Sequence, residues 1–337
     1  MRQQREMHRI VSPGYLDDDG PRKMVLKYGI LYVSCQNNTV NSIDLKHENV
    51  TQLRAPATKF KNSGYGIAIN SKNCIYVADY HNDMIRYIKV NDQVIDIILT
   101  KHPIDIAVDS NDAVYYIYQY QFIVKYYNNR ITYLGNENVY NCLTEIKIDS
   151  QNNIFLLDPC NVNGTFIWKI PFSDQSKREQ VSLHSCIIGS KINAITINSE
   201  DNILLTLVDK GYSYLYVISS NQANITQLCL PNKRMNISGM VVDKSNDYLY
   251  ISDMGTNVIY EVTDYCRTTG PNVCTIYPTD ETSSPHYDKF HGNLYALLAL
   301  LVLLPILAYV YYYNWCPRKQ NSGKAKKPAL LTDTRRI

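Results

Sequence analysis

The common signatures of catalysis are absent from this sequence. It contains no G-x-S-x-G, no H-E-x-x-H, no Walker-type Gly-Lys-Ser, no G-x-G-x-x-G and no C-x-x-C motif. Such motifs hold a nucleophile, a metal ligand or a phosphate-binding loop at a fixed spacing. Their absence argues against the common hydrolases, proteases and nucleotide-binding enzymes. The sequence therefore predicts no catalytic residue and no cofactor.

The chain also lacks a basic surface outside its C-terminal end. Seven of the 34 basic residues, but only one of the 31 acidic residues, lie in the last 21 positions. The rest of the chain therefore holds 27 basic and 30 acidic residues, a net charge of −3, although the whole chain carries +3. Nucleic-acid-binding domains concentrate positive charge on one face. We therefore expect no nucleic-acid partner.

What the sequence does contain is a repeated pattern of short apolar runs. Gly66 to Ile88, GIAINSKNCIYVADYHNDMIRYI, reads as three strands separated by two polar turns, and Val94 to Leu99 adds a fourth strand. An apolar run like the first one recurs along the chain, and the residues that end these runs are 39 to 49 positions apart, which is the period of propeller blades. The residues at this position are Lys27, Asn70, Asp109, Asp149, Asn198 and Asp243.

These runs resemble the NHL-repeat family. Gly66 to Ile88 looks like a nearly complete repeat, and Tyr248 to Val262 is a second good match. The resemblance covers roughly residues 20 to 265. It implies an all-β, six-bladed β-propeller, which we expect over residues 21–274. A propeller hosts many functions, so the resemblance implies no single one.

Two segments compete to close the ring. Residues 1–20 are polar and lack the apolar core of a signal peptide, so they are either a leader or the source of a closing strand at His8 to Val11. Cys274 to Tyr277 is the other candidate for the same place. Pairing by either segment would remove an exposed sheet edge.

A single membrane span is predicted after the propeller. Leu294 to Tyr313 is twenty residues without a charge, enough to cross a bilayer core of about 30 Å. We expect a stalk over 275–292, a transmembrane helix over 293–315 and a basic cytosolic tail over 316–337. Basic residues follow the span, so the positive-inside rule places the propeller outside the cell or in a lumen. Cys316, at the cytosolic edge of the span, is a candidate for lipidation.

Other features also favour a lumenal or extracellular propeller. Eight of the nine cysteines precede the span, and an even number is what complete disulfide pairing on one side of the membrane requires. Cys266 is predicted to pair with Cys274, and a second prediction joins Cys160 to Cys142 or Cys186. Glycan-acceptor triplets begin at Asn37, Asn49, Asn163, Asn224 and Asn236. A propeller of this size reaches a lumen only with a targeting signal, so this interpretation expects further sequence upstream of Met1. The rival is a tail-anchored scaffold with a cytosolic propeller.

Three histidines are candidates for a metal site. His81, His102 and His184 fall in loops predicted to share one face of the ring, where three imidazoles could hold zinc. The outline is similar to membrane-anchored peptide-amidating lyases, but their Pro-His-x-x-Ala context is reversed at Lys101 to Ala107. Solvated loop histidines are the simpler interpretation. The Asp or Asn ending each first run could bind calcium, but Asx-turn hydrogen bonds are favoured.

The sequence thus predicts non-enzymatic recognition of an extracellular or lumenal protein or glycan. The alternative is a metal-dependent lyase or a lactonase-like esterase that uses the same face of the ring.

Overall fold

The computed structural model describes thirteen parts of the chain. They are residues 7–11, 20–36, 39–53, 66–89, 94–134, 140–161, 164–183, 187, 190–209, 211–222, 224–228, 230 and 234–263. These residues form six four-stranded antiparallel sheets. The predicted six-bladed, all-β propeller is therefore confirmed.

Each sheet is one blade, with its strands arranged in order from the ring's centre outward. The innermost strands are β2 (Pro21–Lys27), β6 (Ile67–Ile69), β10 (Pro103–Val108), β14 (Glu145–Ile148), β18 (Lys191–Ile197) and β22 (Ile237–Asp243). The second strands are β3 (Ile30–Cys35), β7 (Ile75–Asp79), β11 (Val114–Tyr118), β15 (Ile154–Asn161), β19 (Ile203–Asp209) and β23 (Tyr248–Asp253). The third strands are β4 (Val40–Asp44), β8 (Met84–Ile88), β12 (Phe122–Tyr127), β16 (Gly164–Ile170), β20 (Tyr212–Ile218) and β24 (Val258–Val262). The outer strands are β5 (Asn49–Leu53), β9 (Val94–Leu99), β13 (Arg130–Leu134), β17 (Glu179–Gln180), β21 (Ile225–Leu228) and β1 (Met7–Val11).

The N-terminal strand closes the ring. β1 pairs antiparallel with β24, with Met7 opposite Val262 and Arg9 opposite Tyr260. Blade 6 therefore takes three strands from the end of the propeller and one from its start. Of the two candidates, it is the segment containing His8 to Val11 that fills this place. Cys274 to Tyr277 lies outside the described residues.

The core consists of six apolar clusters, each located where two neighbouring blades face each other. Successive strand residues point to opposite faces, so a blade supplies alternate residues to the clusters on its two sides. Leu204 packs toward blade 6, whereas its neighbour Leu205 packs toward blade 4. Both are completely buried, and burying one such side chain stabilises a fold by about 1.5–3 kcal/mol. The core therefore forms only when the blades stand side by side.

Glycine allows the innermost strands to approach closely. A Cβ on Gly66 would overlap the backbone of Asp105 and Ile106 in the next blade, and a Cβ on Gly239 would overlap the carbonyl of Arg22. The six innermost strands contact one another in sequence around the ring. They therefore form the wall of a narrow central channel.

The antiparallel order defines two faces. We call the face with the turns between first and second strands the lower face. The upper face holds the loops between second and third strands and the links to the next blade. The predicted Asx turns lie on the lower face. Asp149 Oδ1, for example, accepts hydrogen bonds from the backbone N–H groups of Gln151 (2.9 Å) and Asn153 (2.8 Å).

The same geometry recurs in blades 2, 3 and 5, and blade 6 has a variant of it. The corresponding acceptors are Asn70, Asp109, Asn198 and Asp243. The predicted Asx-turn hydrogen bonds are therefore confirmed at these positions. Blade 1 differs, because Tyr28 and Gly29 both have positive φ (52° and 73°) and form a two-residue hairpin.

A serine in each of four turns also binds the next blade. Ser71 Oγ donates to Asp112 (2.5 Å), Ser150 Oγ to Asp201 (2.5 Å) and Ser199 Oγ to Asp247 (2.5 Å). Ser110 Oγ instead accepts a hydrogen bond from Asn152 (2.8 Å). The partner residues all have φ between 57° and 64°, a left-handed conformation that Asn and Asp tolerate better than most residues. We call these contacts the lower-face staples. They join blades 2 to 6 in a row.

No helix in the described part of the chain is long and apolar enough to cross a membrane. The predicted span Leu294 to Tyr313, the stalk, the tail and Cys316 lie outside that part.

Candidate functional site

Three second strands carry a buried aspartate at the upper face, and each has its own partners. Asp79 Oδ2 accepts hydrogen bonds from Arg86 Nε (2.5 Å) and Asn82 Nδ2 (2.8 Å). Asp158 accepts hydrogen bonds from two backbone N–H groups of the link into its own blade, at 3.0 and 3.1 Å. Asp253 is bonded by two backbone N–H groups and the hydroxyl of Thr256. All three carboxylates therefore fix loops of the upper face.

The link held by Asp158 is also fixed covalently. Cys142 and Cys160 form a disulfide with their Cα atoms 5.5 Å apart. This is one of the two pairings that the sequence predicted for Cys160. The other candidate partner, Cys186, and the pair Cys266 and Cys274 lie outside the described residues.

The central channel is bridged by ion pairs. Lys23 Nζ on blade 1 contacts Glu145 Oε1 on blade 4, across the ring. Glu145 Oε2 accepts the N–H of Ile195 (2.9 Å), and Asp105 Oδ2 accepts Lys147 Nζ (3.4 Å). Burial lowers the pKa of Lys147, but the carboxylates of Asp105 and Glu145 outweigh that effect and hold its pKa above the ordinary value. The carboxylates of this channel are therefore already paired.

Two of the three candidate metal-binding histidines pack against the same aromatic side chain, Tyr80. His81 and His102 both pack edge-on against Tyr80, with ring centroids 4.9 and 4.7 Å away. Asp83 Oδ1 lies 2.7 Å from His102 Nδ1 and accepts the His102 backbone N–H at 2.9 Å. That backbone hydrogen bond, with the imidazole contact, holds the pKa of Asp83 below its ordinary value although desolvation opposes it.

These groups do not form a metal centre in the described part of the chain. Nowhere in that part do three His, Cys, Asp or Glu side chains lie where they could hold one ion. His184, the third predicted ligand, lies outside it. His81 and His102 are both exposed and belong to an aromatic surface.

That surface occupies the upper edge of blades 2 and 3. One group consists of Tyr80 and the two histidines, with the ring of Tyr120 at 6.3 Å from Tyr80. A second group surrounds Tyr118, which stacks on Phe122 at 4.8 Å and meets Tyr133 edge-on at 6.3 Å. The turn between β11 and β12 joins the two groups. We call the whole set the aromatic patch: Tyr80, His81, His102, Tyr118, Tyr120, Phe122 and Tyr133.

The patch is only partly covered by the propeller itself. Tyr133 is 63% exposed, and the two histidines are exposed as well. Tyr80 and Tyr120 pack against the core between blades 3 and 4, whereas Tyr118 packs against the core between blades 2 and 3. The rings are therefore anchored at their base and present their outer edges to solvent.

A pocket opens elsewhere on the upper face, between blades 5 and 6. Its volume is about 500 Å³, and Lys191 and Arg234 supply its positive charge. The other polar lining residues are Asn193, Asn236, Asp253 and Thr256.

Three of the five predicted glycan acceptors lie in the described residues. Asn49, Asn224 and Asn236 are exposed, as glycan attachment requires. Asn37 and Asn163 lie outside that part. Glycosylation of all five stays a prediction.

Comparison with known proteins identifies the fold. No protein-family model matches this chain, and no curated protein sequence matches it. Its structure is similar to virginiamycin B lyase from Staphylococcus aureus, with a TM-score of 0.57 and 12% identity over 77% of this chain and 99% of the lyase. It is also similar to an auxiliary nutrient binding protein from Bacteroides thetaiotaomicron, with a TM-score of 0.58 and 12% identity over 77% of this chain and 76% of the other. A structure described as a gluconolactonase gives a TM-score of 0.58 at 8% identity, over 78% and 93%.

At these identities the similarities establish the propeller fold alone. The NHL-repeat family itself stays a prediction. The neighbours include both enzymes and a binding protein, so the fold does not select between those functions.

Sequence reasoning missed the aromatic patch and the pocket. The excess of tyrosine, 29 against six Phe, was a signal that rings would be half-exposed. It did not indicate which rings would come together, because Tyr80 and Tyr120 belong to different blades. Nothing in the sequence marked Arg234 and Lys191 as parts of one site, because neither belongs to a recognisable motif and they lie 43 residues apart.

Proposed function

We propose that this chain is a membrane-anchored recognition protein whose propeller binds a protein partner, without catalysis, through the aromatic patch. Tyrosine and phenylalanine are enriched at protein interfaces because they bury large areas with few rotatable bonds. The observation that carries the proposal is the set of half-buried rings around Tyr118 and Tyr80, which leads outward to the exposed ring of Tyr133.

The paired state of the carboxylates supports a binding role over an enzymatic one. Asp105 and Glu145 in the channel face lysines and backbone donors, and Asp79 faces Arg86. A general acid or base needs a carboxyl group that can reach a substrate. Asp79 instead fixes the β7–β8 loop that carries Tyr80 and His81 of the aromatic patch.

Site-specific photo-crosslinking on the full-length chain in animal cells tests the proposal. A photoreactive phenylalanine analogue replaces Tyr133 in the patch or Tyr127, which is 43% exposed and lies at the lower end of β12 in the same blade. We expect a discrete partner adduct from position 133 and not from position 127. Introducing Tyr118→Ser or Phe122→Ser should abolish it, because the Tyr118 ring adjoins Tyr133 and stacks on Phe122.

Two outcomes would reject the patch as a docking surface. One is the same adducts at positions 127 and 133. The other is an adduct at 133 that survives both ring substitutions in protein with an unchanged melting temperature.

The compartment is tested separately by a glycosidase mobility shift on the chain tagged at its C-terminus. A downward shift is expected if the propeller enters the secretory pathway, where Asn49, Asn224 and Asn236 would be accessible acceptors. An unshifted protein whose propeller is digested in permeabilised cells would favour the tail-anchored cytosolic scaffold instead.

A further inference from the structure

The pocket between blades 5 and 6 is distinct from both the aromatic patch and the channel. Its wall comes from the start of β18, the end of β19 and the β23–β24 loop. At about 500 Å³ it falls in the range of small-molecule sites, roughly 300–1,000 Å³. It is large enough for a mono- or disaccharide.

Charge at the pocket favours an anionic group. Lys191 and Arg234 are both exposed at its rim. The Arg234 guanidinium lies 5.5 Å from the centre of the Tyr212 ring, a cation–π contact that orients it. A guanidinium held in this way suits two-point hydrogen bonding to a carboxylate or sulfate.

Asp253 is the acidic side chain among the described residues of the lining, and donors of its own loops hold it. Asp253 is buried, and its oxygens accept the backbone N–H groups of Asn236 (2.9 Å) and Gly255 (3.0 Å) and the hydroxyl of Thr256 (2.7 Å). These contacts place Asn236 and Thr256 at the edge of the pocket. Asp253 is thus a positioning residue of the site.

The remaining lining suits a sugar ring. The amides of Asn193 and Asn236 both donate and accept hydrogen bonds, and the Thr256 oxygen can accept one, as hydroxyl recognition requires. Two apolar side chains and two glycines complete the wall. Apolar surface with a few placed polar groups is the usual make-up of a small-molecule site.

We propose that this pocket binds an acidic saccharide, with the anionic group of the sugar on Arg234 and Lys191 and its hydroxyls on Asn193 and Thr256. This site is independent of the protein-docking surface proposed above.

Three sugars that differ only at carbon 6 test the proposal: D-glucuronate, D-glucose 6-sulfate and D-glucose. They are titrated calorimetrically into the purified full-length protein in detergent, each up to about 10 mM. The protein comes from a host without N-glycosylation, because Asn236 is also a predicted acceptor. We expect at least one anionic sugar to bind about tenfold more tightly than glucose. If only one does, it identifies the preferred anion.

Charge-removing variants locate the binding. Arg234→Met with Lys191→Met should lower the affinity for the anionic sugar by about tenfold or more and leave glucose unchanged. Arg130→Met, which removes an exposed charge from blade 3, should change neither. All these side chains are exposed, so each variant should remain folded, which a thermal melt checks.

The proposal is overturned if no sugar binds, if all three bind alike, or if the double variant titrates like the parent. Crosslinking at position 133 does not depend on the double variant, so this failure would leave the protein-docking proposal standing.

Discussion

The two faces of the ring fix their loops in different ways. On the lower face, blades 2 to 5 use one device, an Asn or Asp that accepts two backbone N–H groups of its own turn. On the upper face the three buried aspartates have three different sets of partners, and one loop adds a disulfide. The lower-face turn is therefore nearly the same in each of these blades, whereas the upper-face loops differ from blade to blade.

This difference indicates where function resides. A turn that repeats with each blade reflects the needs of the meander itself. Upper-face loops of unequal length and chemistry need individual anchors, and their variety produces the aromatic patch on one side and the pocket on the other. Loops held by a rigid scaffold are the usual location of binding residues.

The largest loss of folding stability is expected when one of the buried aspartates that hold the upper-face loops loses its partner. Arg86→Ala leaves Asp79 buried without its cation, since the two side chains are 4% and 0% exposed. Loss of one member of a buried ion pair costs about 3–5 kcal/mol. Urea unfolding of the full-length protein should show that loss, together with weaker crosslinking at position 133.

The matched control for Arg86→Ala is Lys177→Ala. Lys177 pairs with Asp174 on the surface, where solvent screening leaves an ion pair with little effect on stability. Equal losses in the two variants would contradict the role assigned to Asp79 and Arg86.

The disulfide is the next test of the upper face. Replacing Cys142 and Cys160 by serine opens a loop of 18 residues, which should lower the free energy of unfolding by about 2–4 kcal/mol. A reductant should destabilise the parent protein by a similar amount and the variant by clearly less. A parent that is insensitive to reductant would contradict a stabilising disulfide.

A smaller loss is expected on the lower face. Asp149→Ala removes the acceptor of two backbone N–H groups in a buried turn, which should cost about 1–3 kcal/mol. Asp149→Asn retains an Oδ1 acceptor, as Asn70 and Asn198 do in their own blades, and loses only the contact in which Asp149 Oδ2 accepts Asn153 Nδ2 (2.8 Å), so it should cost less than Asp149→Ala. Equal losses in the two variants, measured by urea unfolding, would exclude the turn hydrogen bonds as the cause.

The smallest effect concerns a single lower-face staple and depends on pH. Burial alone would raise the pKa of Asp112, but the hydrogen bonds from Ser71 outweigh it and leave its pKa below the ordinary value. A lowered carboxyl pKa contributes stability above pH about 4 that is lost as the pH falls further. Ser71→Ala should therefore lower the free energy of unfolding near pH 7 by less than about 1 kcal/mol, because solvent screens this exposed contact, and by still less below pH 4. A loss independent of pH in thermal melts would contradict this assignment.

The blades and lower-face turns could be predicted because their causes are local. An Asp or Asn at the end of an apolar run, followed by Ser and a second polar residue, specifies a turn within five residues. Blade 1 breaks the pattern, with Tyr28 where four other blades have Ser. In blade 2, Asn73 occupies the same turn position as the staple partners, with φ 60°, and its Oδ1 is buried without a hydrogen-bond partner among the described residues.

The rest depends on residues that are far apart in the chain. Lys23 meets Glu145 across 122 positions, and nothing in either neighbourhood marks the pair. Ring closure was undecided because two short strand-like segments fit equally well. Cys160 had two candidate partners, and only the three-dimensional course of the link at Asp158 selects Cys142.

Closure by the first strand has a consequence for biosynthesis. β1 pairs with β24, so Met7 to Val11 must wait for about 250 further residues before its partner leaves the ribosome. At translation rates of roughly 5–20 residues per second, this delay is on the order of 10–50 seconds. The unpaired edge of a nascent blade can pair with other chains during that interval. The protein therefore has a period of exposure to chaperones and to misassembly that a ring closed by its C-terminal strand would avoid.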